Sequence, residues 1–426
     1  MSEHLVCRLF QLHDKPNTYS NPLHNLPEIL RRSLGKDVTL TNVDWKNLTD
    51  PGENFGSLIL SVNAEVIVDS RPETLNLVAK LPPPSTWLQE LFNSPFTFEK
   101  ELQFYRDLTP AFLAVQRENG ITRPEETWLG ARYYGGRLGL ADPERFDDQA
   151  TILLQNLNFA GYKTVDRLAG LNKKQAEVAV KQLAKLHAIP IAMRTKKPKI
   201  FEELVLPALA QPANETAENC VTDMVCKALD DLREIPEASP YLNSVDKTMD
   251  YIAKAELFDK PASKDPWRTL VHNDFWVNNM MFKTDDEGNV LDMKIVDFQL
   301  CFYDNGVKDL IFFLVSSPAR EVIENHFDHL VHLYYESFVE TLKTLKVETS
   351  EFKEKDLIEQ LNKFAPMKFG QCLMMIQVIK SKPGAAPKME DIHSKENFLS
   401  IGGGEVYRQK MLHTVQFFEK RGWLRK

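Results

Sequence analysis

Apolar positions along the chain fall into two regimes. Before about residue 157 they come in short Leu/Ile/Val runs broken by turn residues, the pattern of strands. Ser57–Val68 and Leu75–Leu81 are two such runs, with a turn at Ser70–Glu73 between them and Pro82–Pro84 closing the second. Thr151–Leu157 is a third, ending on the polar pair Gln155-Asn156. Residues 22–35 instead read as a short helix, with Pro27 in its first turn and Gly35 at its end. Phe96–Asp107 also has helical spacing.

After residue 157 the spacing is mostly helical. Lys173–Ala188 is amphipathic. The exceptions are a short strand at Met280–Lys283 and a strand at Val290–Phe298, joined by the turn Asp285–Asn289. Residues 192–220 hold several Pro and Lys residues and read as a long connection; residues 380–400 read as a polar loop. No internal repeat is visible. Strands early and helices late predict an α+β protein of two lobes, divided between residues 155 and 156.

Composition leaves that picture in place. The chain has 426 residues, 43% hydrophobic and 26% charged, as in ordinary globular proteins. That length suits two or three lobes. The formal net charge of -8 and the lack of a dense Lys/Arg block argue against a nucleic-acid partner. The five cysteines form no Cys-x-x-Cys pair and no zinc spacing, which fits free thiols in a reducing compartment. The N-terminal residues carry charge where a signal peptide needs an apolar core, and the longest apolar runs, such as Leu310–Val315, are far too short to span a bilayer. A cytoplasmic protein without a membrane contact or an obligate protein partner is expected, and the sequons at Asn47 and Asn214 carry no weight.

One segment carries chemistry. Leu270-Val271-His272-Asn273-Asp274-Phe275-Trp276-Val277-Asn278-Asn279 precedes a strand, and the next strand ends in Ile295-Val296-Asp297-Phe298. An Asp, an Asn five residues later and a second Asp at a strand end suit phosphoryl transfer. That reaction needs positioning and charge neutralisation more than covalent help. One carboxylate orients and deprotonates an acceptor hydroxyl; an amide oxygen and another carboxylate hold Mg²⁺, which takes hard oxygen ligands.

This segment resembles the His-x-Asp-x-x-x-x-Asn loop and Asp-Phe-x metal motif of the kinase-like fold. It resembles one family more closely, the ecdysteroid kinase-like (CHK kinase-like) proteins. The residues concerned are Val271–Asn279, Val296-Asp297-Phe298-Gln299 and Lys308-Asp309-Leu310. Phe98, Glu101 and Phe104-Tyr105, then Leu183–Ala188, and finally Arg421-Gly422-Trp423-Leu424 extend the likeness over nearly the whole chain. The resemblance implies a bilobal protein kinase-like fold, with a small β-rich nucleotide-binding lobe (1–155, with a leading helical segment) and a larger, mostly helical catalytic and substrate-binding lobe (156–426). It implies ATP and Mg²⁺ as cofactors, Asp274 as catalytic base, Asn279 and Asp297 as metal ligands, and Asp309 as a brace. His272 reads as loop support and His187 as a core residue.

In that fold a strand Lys pairs with the nucleotide phosphates and with a helix Glu. Lys80 ends the run Leu77-Val78-Ala79-Lys80. Phe98, Glu101 and Tyr105 share one helical face, where a lone carboxylate needs a cation; Glu99 and Lys100 read as solvated. Gly52–Ser57, with Asn54, Phe55 and Gly56, either covers the phosphates or is a plain hairpin turn. Gln155-Asn156-Leu157 reads as the adenine-binding hinge, with Gln-Asn where the family often has Glu-Asp. Gln299 stands where choline kinases, which share the fold, carry Glu.

The implied acceptor is a hydroxyl on a small molecule: an ecdysteroid, or another lipophilic secondary metabolite or xenobiotic. Phe302, Tyr303, Phe312, Phe313, Phe369, Met374 and Met375 are compatible with apolar walls, or with plain core. Choline, ethanolamine or a sugar are alternative acceptors, and a catalytically inactive nucleotide- or hormone-binding protein is an alternative from another class. A protein kinase fits less well, with no His-Arg-Asp, Asp-Phe-Gly or Ala-Pro-Glu segment.

Overall fold

The N-terminal sheet grows from one tight hairpin. Asp69 and Ser70, at φ 48° and 67°, make a two-residue turn whose twist matches the strands it joins. That turn sets Val68 opposite Arg71 and carries the pairing to Leu58 opposite Leu81. The strands are β2 (Leu58–Val68) and β3 (Arg71–Leu81). The second is four residues longer than its apolar run, because exposed Arg71–Thr74 still complete the ladder.

The structure is a computed structural model that describes residues 22–35, 37–49, 54–210, 214–258, 265–381, 388–399 and 403–426. The expected features at Pro51, Gly52, Glu53 and Cys7, and parts of the 192–220 and 380–400 segments, lie outside the described residues. After α1 (Leu26–Leu34) the chain forms β1 (Val38–Asn47). Sequence reading missed β1 because it is a mostly exposed edge strand with few apolar positions. Helices α2 (Thr86–Leu91), α3 (Ser94–Gln103) and α4 (Thr109–Glu118) follow, with a π turn at Phe104–Leu108 between the last two. Then come β4 (Tyr133–Arg137) and β5 (Thr151–Gln155). The five strands form one antiparallel sheet in the order β1-β2-β3-β5-β4.

The rest is mainly helical. A capping box between Asn172 and Gln175 starts α5 (Lys173–Lys196), which runs on through Pro190 instead of stopping near Ala188. Buried packing from Leu186 to Met193 tolerates the amide hydrogen bond that Pro190 cannot make. The expected long connection at 192–220 is largely helical: α6 (Pro198–Ile200), a π turn, α7 (Leu206–Ala208), then α8 (Glu215–Arg233), capped by the Asn214 side chain. Proline at the start of each short helix is compatible with helix, which explains the misreading.

After α9 (Leu242–Phe258) come two small antiparallel ladders. Strand β6 (Arg268–Val271) pairs with β9 (Phe302–Asn305), and β7 (Met280–Thr284) pairs with β8 (Val290–Ile295). The chain closes with α10 (Val307–Ser316), α11 (Arg320–Thr344), α12 (Glu354–Ile379), α13 (Lys395–Leu399) and α14 (Glu405–Lys420). One apolar core packs the helical region together with α3, the π turn and β5. A second lies between α1 and the sheet. This is the bilobal α+β architecture of the kinase-like fold. Among the described residues no helix is long and apolar enough to cross a membrane.

Candidate active site

Both ladders end in loops that meet. Strand β6 delivers the chain into His272–Asn279, and β8 delivers it into Val296-Asp297-Phe298. The Val296 N–H donates to the Asn279 carbonyl at 3.1 Å, and His272 Nε2 meets the Val296 carbonyl at 3.1 Å. His272 therefore stitches the loops together, the supporting part expected of it. Asn273 and Asp297 both sit in the left-handed region, at φ 64° and 68°, a local strain that an Asn or Asp bears better than most residues.

Asp309, in the first turn of α10, braces this bend. Its carboxylate accepts the amide hydrogens of His272 at 2.5 Å and Asn273 at 2.9 Å. It also lies 3.3 Å from His187 Nε2. A carboxylate only accepts, so Nε2 carries the proton and the Tyr334 hydroxyl, at 2.7 Å, faces Nδ1. Burial pushes the Asp309 carboxyl up, but the His187 hydrogen bond and charge outweigh it and hold it below its ordinary value. His187 is thus a buried histidine in the brace. Gly306 makes room for it: a Cβ there would lie 2.7 Å from its Nδ1.

Asp274 is half-buried. Asn279 Nδ2 donates to its Oδ2 at 2.8 Å and to its carbonyl at 2.9 Å. That turns the Asn279 amide so that Oδ1 stays available as an oxygen donor. Burial, reinforced by the nearby charge of Asp297, pushes the Asp274 carboxyl up to about 7. A carboxylate near neutrality is suited to taking a proton from a hydroxyl.

Lys80, Glu101 and Asp297 converge from β3, α3 and the loop after β8. Lys80 Nζ lies 2.5 Å from Glu101 and 2.7 Å from Asp297. The other Glu101 oxygen accepts the Phe298 N–H at 3.3 Å. Burial works against the Lys80 charge, but the Asp297 and Glu101 carboxylates more than offset it and hold its pKa above the ordinary value. The π turn helps set this up: it presents Phe104 and Tyr105 together to Phe298, stacked at 3.8 Å and edge-on at 5.7 Å.

Lys100 corrects an expectation. It is buried, not solvated, and donates to the Cys301 carbonyl at 2.6 Å. Burial lowers its pKa to about 8. Nothing local in the sequence signals a carbonyl two hundred positions away. Glu99 is exposed as expected.

The turn at Asn54–Gly56 packs against the loop after Asp297, where Gly56 faces the Gln299 side chain. Asn54 donates to Ser57 and accepts the Gly56 N–H at 3.1 Å, a self-contained turn. Gln299, on the facing loop, donates to Asp297 Oδ2 at 3.3 Å. Gln155 ends β5 opposite Leu77, on the strand that carries Lys80. Leu157 is buried in the main core, and Asn156 is pinned by Ser61, Asn76 and Asn158, so its side chain is structural. Phe312, Phe313 and Phe369 are fully buried core, and Met374 is a buried member of a third apolar cluster, with the partly buried Met375 packed against it. Gln371, which sequence reading passed over, donates to the Asn273 carbonyl at 3.2 Å.

The model of the ecdysteroid kinase-like family matches residues 51–347. No curated protein sequence matches the chain. Among solved structures it is similar to a Plasmodium vivax ethanolamine kinase, at 11% identity and a TM-score of 0.42, covering 90% of this chain and 84% of that one. A choline kinase from Cryptosporidium parvum Iowa II gives 10% identity and a TM-score of 0.40, covering 90% and 91%. An amicoumacin kinase in complex with AMP-PNP and Ca²⁺ gives 13% and 0.39, covering 86% and 87%. The family match spans well over half of the chain and contains the Lys80–Glu101–Asp297 centre and the Asp274 loop. The chain belongs to the ecdysteroid kinase-like family, and it is a small-molecule kinase that phosphorylates a hydroxyl group.

Proposed function

We propose that the protein transfers the γ-phosphoryl group of ATP to a hydroxyl of a lipophilic small molecule, an ecdysteroid or a comparable apolar alcohol, with Mg²⁺. The observation that carries this reading is the ammonium of Lys80 held between Glu101 and Asp297, beside a carboxylate, Asp274, poised near neutrality.

Each residue then has a task. Lys80, oriented by Glu101, neutralises phosphate charge. The turn Asn54-Phe55-Gly56 lies over the phosphates, and the backbone at Gln155 and Leu157 receives the adenine. Asp274 would accept the proton of the acceptor hydroxyl as its oxygen bonds to the γ-phosphorus and the bond from that phosphorus to the β,γ-bridging oxygen breaks, releasing ADP, while Asn279 holds the carboxylate in place. The donor types suit Mg²⁺: the Asn279 amide donates both of its recorded bonds through Nδ2, which leaves Oδ1 as a ligand, and the Asp297 carboxylate, shared here by Lys80 and Gln299, would be the second. Both are hard oxygen donors, and Mg²⁺ takes its remaining ligands from phosphate and water. Bound there, the ion would neutralise charge on the transferring group.

The acceptor assignment rests on the family. Incubation with ATP, Mg²⁺ and a panel of hydroxylated compounds, read by mass spectrometry for phosphate adducts, tests it. Steroid alcohols or lipophilic glycosides should gain a phosphate. Turnover of choline or ethanolamine with the apolar alcohols ignored would replace this reading with a choline-kinase one.

A further inference from the structure

A third apolar cluster lies apart from the two main cores and joins pieces far apart in sequence. Phe55 comes from the turn over the site, Leu88 and Leu91 from α2, Cys220 and Met224 from α8, and Met374 from α12. Ile392 and Phe398, from the segment 388–399, complete it. Phe398 is the hub: its ring meets Phe55 edge-on at 5.2 Å and Trp87 at 6.0 Å. The segment is anchored at both sides. The Ser85 hydroxyl, at the cap of α2, donates to the Ile392 carbonyl, and Lys395 Nζ lies 2.5 Å from Asp223 on α8.

Nothing in the chemistry of phosphoryl transfer requires this strap. Yet it touches the turn whose Gly56 packs against Gln299, the side chain that donates to Asp297. Phe55 is 8% exposed and sits between Asn54 and Gly56, and Gly56 packs against Gln299. The turn's own hydrogen bonds are short-range, so they fix its shape and not its height above Asp297. The Phe55–Phe398 contact supplies that second constraint.

We infer that segment 388–399 is a strap from the C-terminal region that holds the turn over the nucleotide phosphates, with Phe398 as a positioning residue acting through Phe55. Phe398 touches no reacting atom. This rests on the assignment of Asn54–Gly56 to the phosphates, and extends it by naming what fixes that turn. Emptying the Phe398 position leaves Phe55 without its ring partner, so the turn samples higher positions and its contacts to phosphate weaken. Releasing Lys395 from Asp223 loosens the strap without altering the apolar cluster.

The test uses the full chain with Mg²⁺ and AMP-PNP as probe, by titration calorimetry, and hydrogen exchange of the 54–57 amides without ligand. Phe398→Ala should weaken AMP-PNP binding about 3- to 10-fold, the scale of one aromatic pair, and raise exchange at 55–57. Phe398→Leu should recover part of both. Lys395→Glu, at a half-buried surface ion pair outside the apolar cluster, should shift both in the same direction by less. Wild-type affinity and wild-type exchange in a folded Phe398→Ala protein would overturn the inference, and if that variant fails to fold, unchanged values in Lys395→Glu would do so. Failure of the unsubstituted protein to bind AMP-PNP would instead strike the functional reading, and the exchange data would still decide the strap.

Discussion

Gly56 and the side-chain amide of Gln299 approach so closely that a Cβ at position 56 would lie 2.9 Å from Gln299 Nε2. That amide in turn donates to Asp297. Gly56→Ala should therefore push Gln299 away from Asp297 and lift the turn. We expect the KM for ATP to rise about 3- to 10-fold, the scale of losing roughly one hydrogen bond. Because the obstacle is a flexible side chain, Gly56→Ala with Gln299→Ala should bring the KM back to that of Gln299→Ala alone. A double variant no better than Gly56→Ala alone would show that the backbone, not Gln299, is the obstacle.

Asp274→Asn keeps the shape of the side chain and removes its basicity. Turnover should fall at least ~10²-fold, the usual scale for a general base. AMP-PNP affinity should stay within a few-fold of wild type. Near-normal turnover would remove Asp274 from the mechanism.

Lys80 serves two carboxylates, so its loss leaves both Glu101 and Asp297 uncompensated. Lys80→Met should destabilise the fold by about 3–5 kcal/mol, as removal of one partner of a buried pair does. Glu101→Gln should cost less, because Asp297 still faces the lysine. A double-mutant cycle followed by urea unfolding should give a coupling of at least ~0.5 kcal/mol, and strictly additive losses would refute a direct pair.

Acid should act at a site far from the chemistry. Burial, helped by the charges of Lys410 and Arg320 and opposed by Glu324, lowers the pKa of His413 to about 4. The unfolded chain binds that proton near its ordinary value of 6.5. Between those values the unfolded state holds more protons, so stability falls as pH drops from about 6.5 to 4. The shift corresponds to roughly 3 kcal/mol over the full window. His413→Gln should flatten the pH dependence of the urea midpoint in that window by a comparable amount. A curve parallel to wild type would assign the acid sensitivity to other groups.

The sequence was most informative where function demands fixed spacing. Asp274, Asn279 and Asp297 lie within twenty-four positions, and their convergence could be read from two strand ends. Lys80 and Glu101 were legible for a different reason: a carboxylate on an aromatic helix face has to find a cation. The edge strand β1 hid because exposure removes the apolar alternation that betrays a strand. Prolines at helix starts disguised α6 and α7 as a connection. Lys100, Gln371 and Phe398 were invisible because their partners are a carbonyl, a carbonyl and a ring brought near only by the fold. A long-range contact to a backbone atom leaves no mark on residue identity. The aromatic residues counted toward an acceptor wall mostly proved to be core, since composition alone does not tell a buried ring from a lining one.

The widened turn at Phe104–Leu108 has a consequence for comparing this chain with others. Helices α3 and α4 are nearly one rod that carries one residue more than a straight helix needs. The surplus lets two adjacent rings, Phe104 and Tyr105, both reach Phe298. A relative without the surplus would align only through a one-residue gap between 104 and 108. In that relative, every position from Thr109 onward on the rod would be rotated by about 100° against Glu101. An ungapped alignment across this stretch would then pair buried positions with exposed ones.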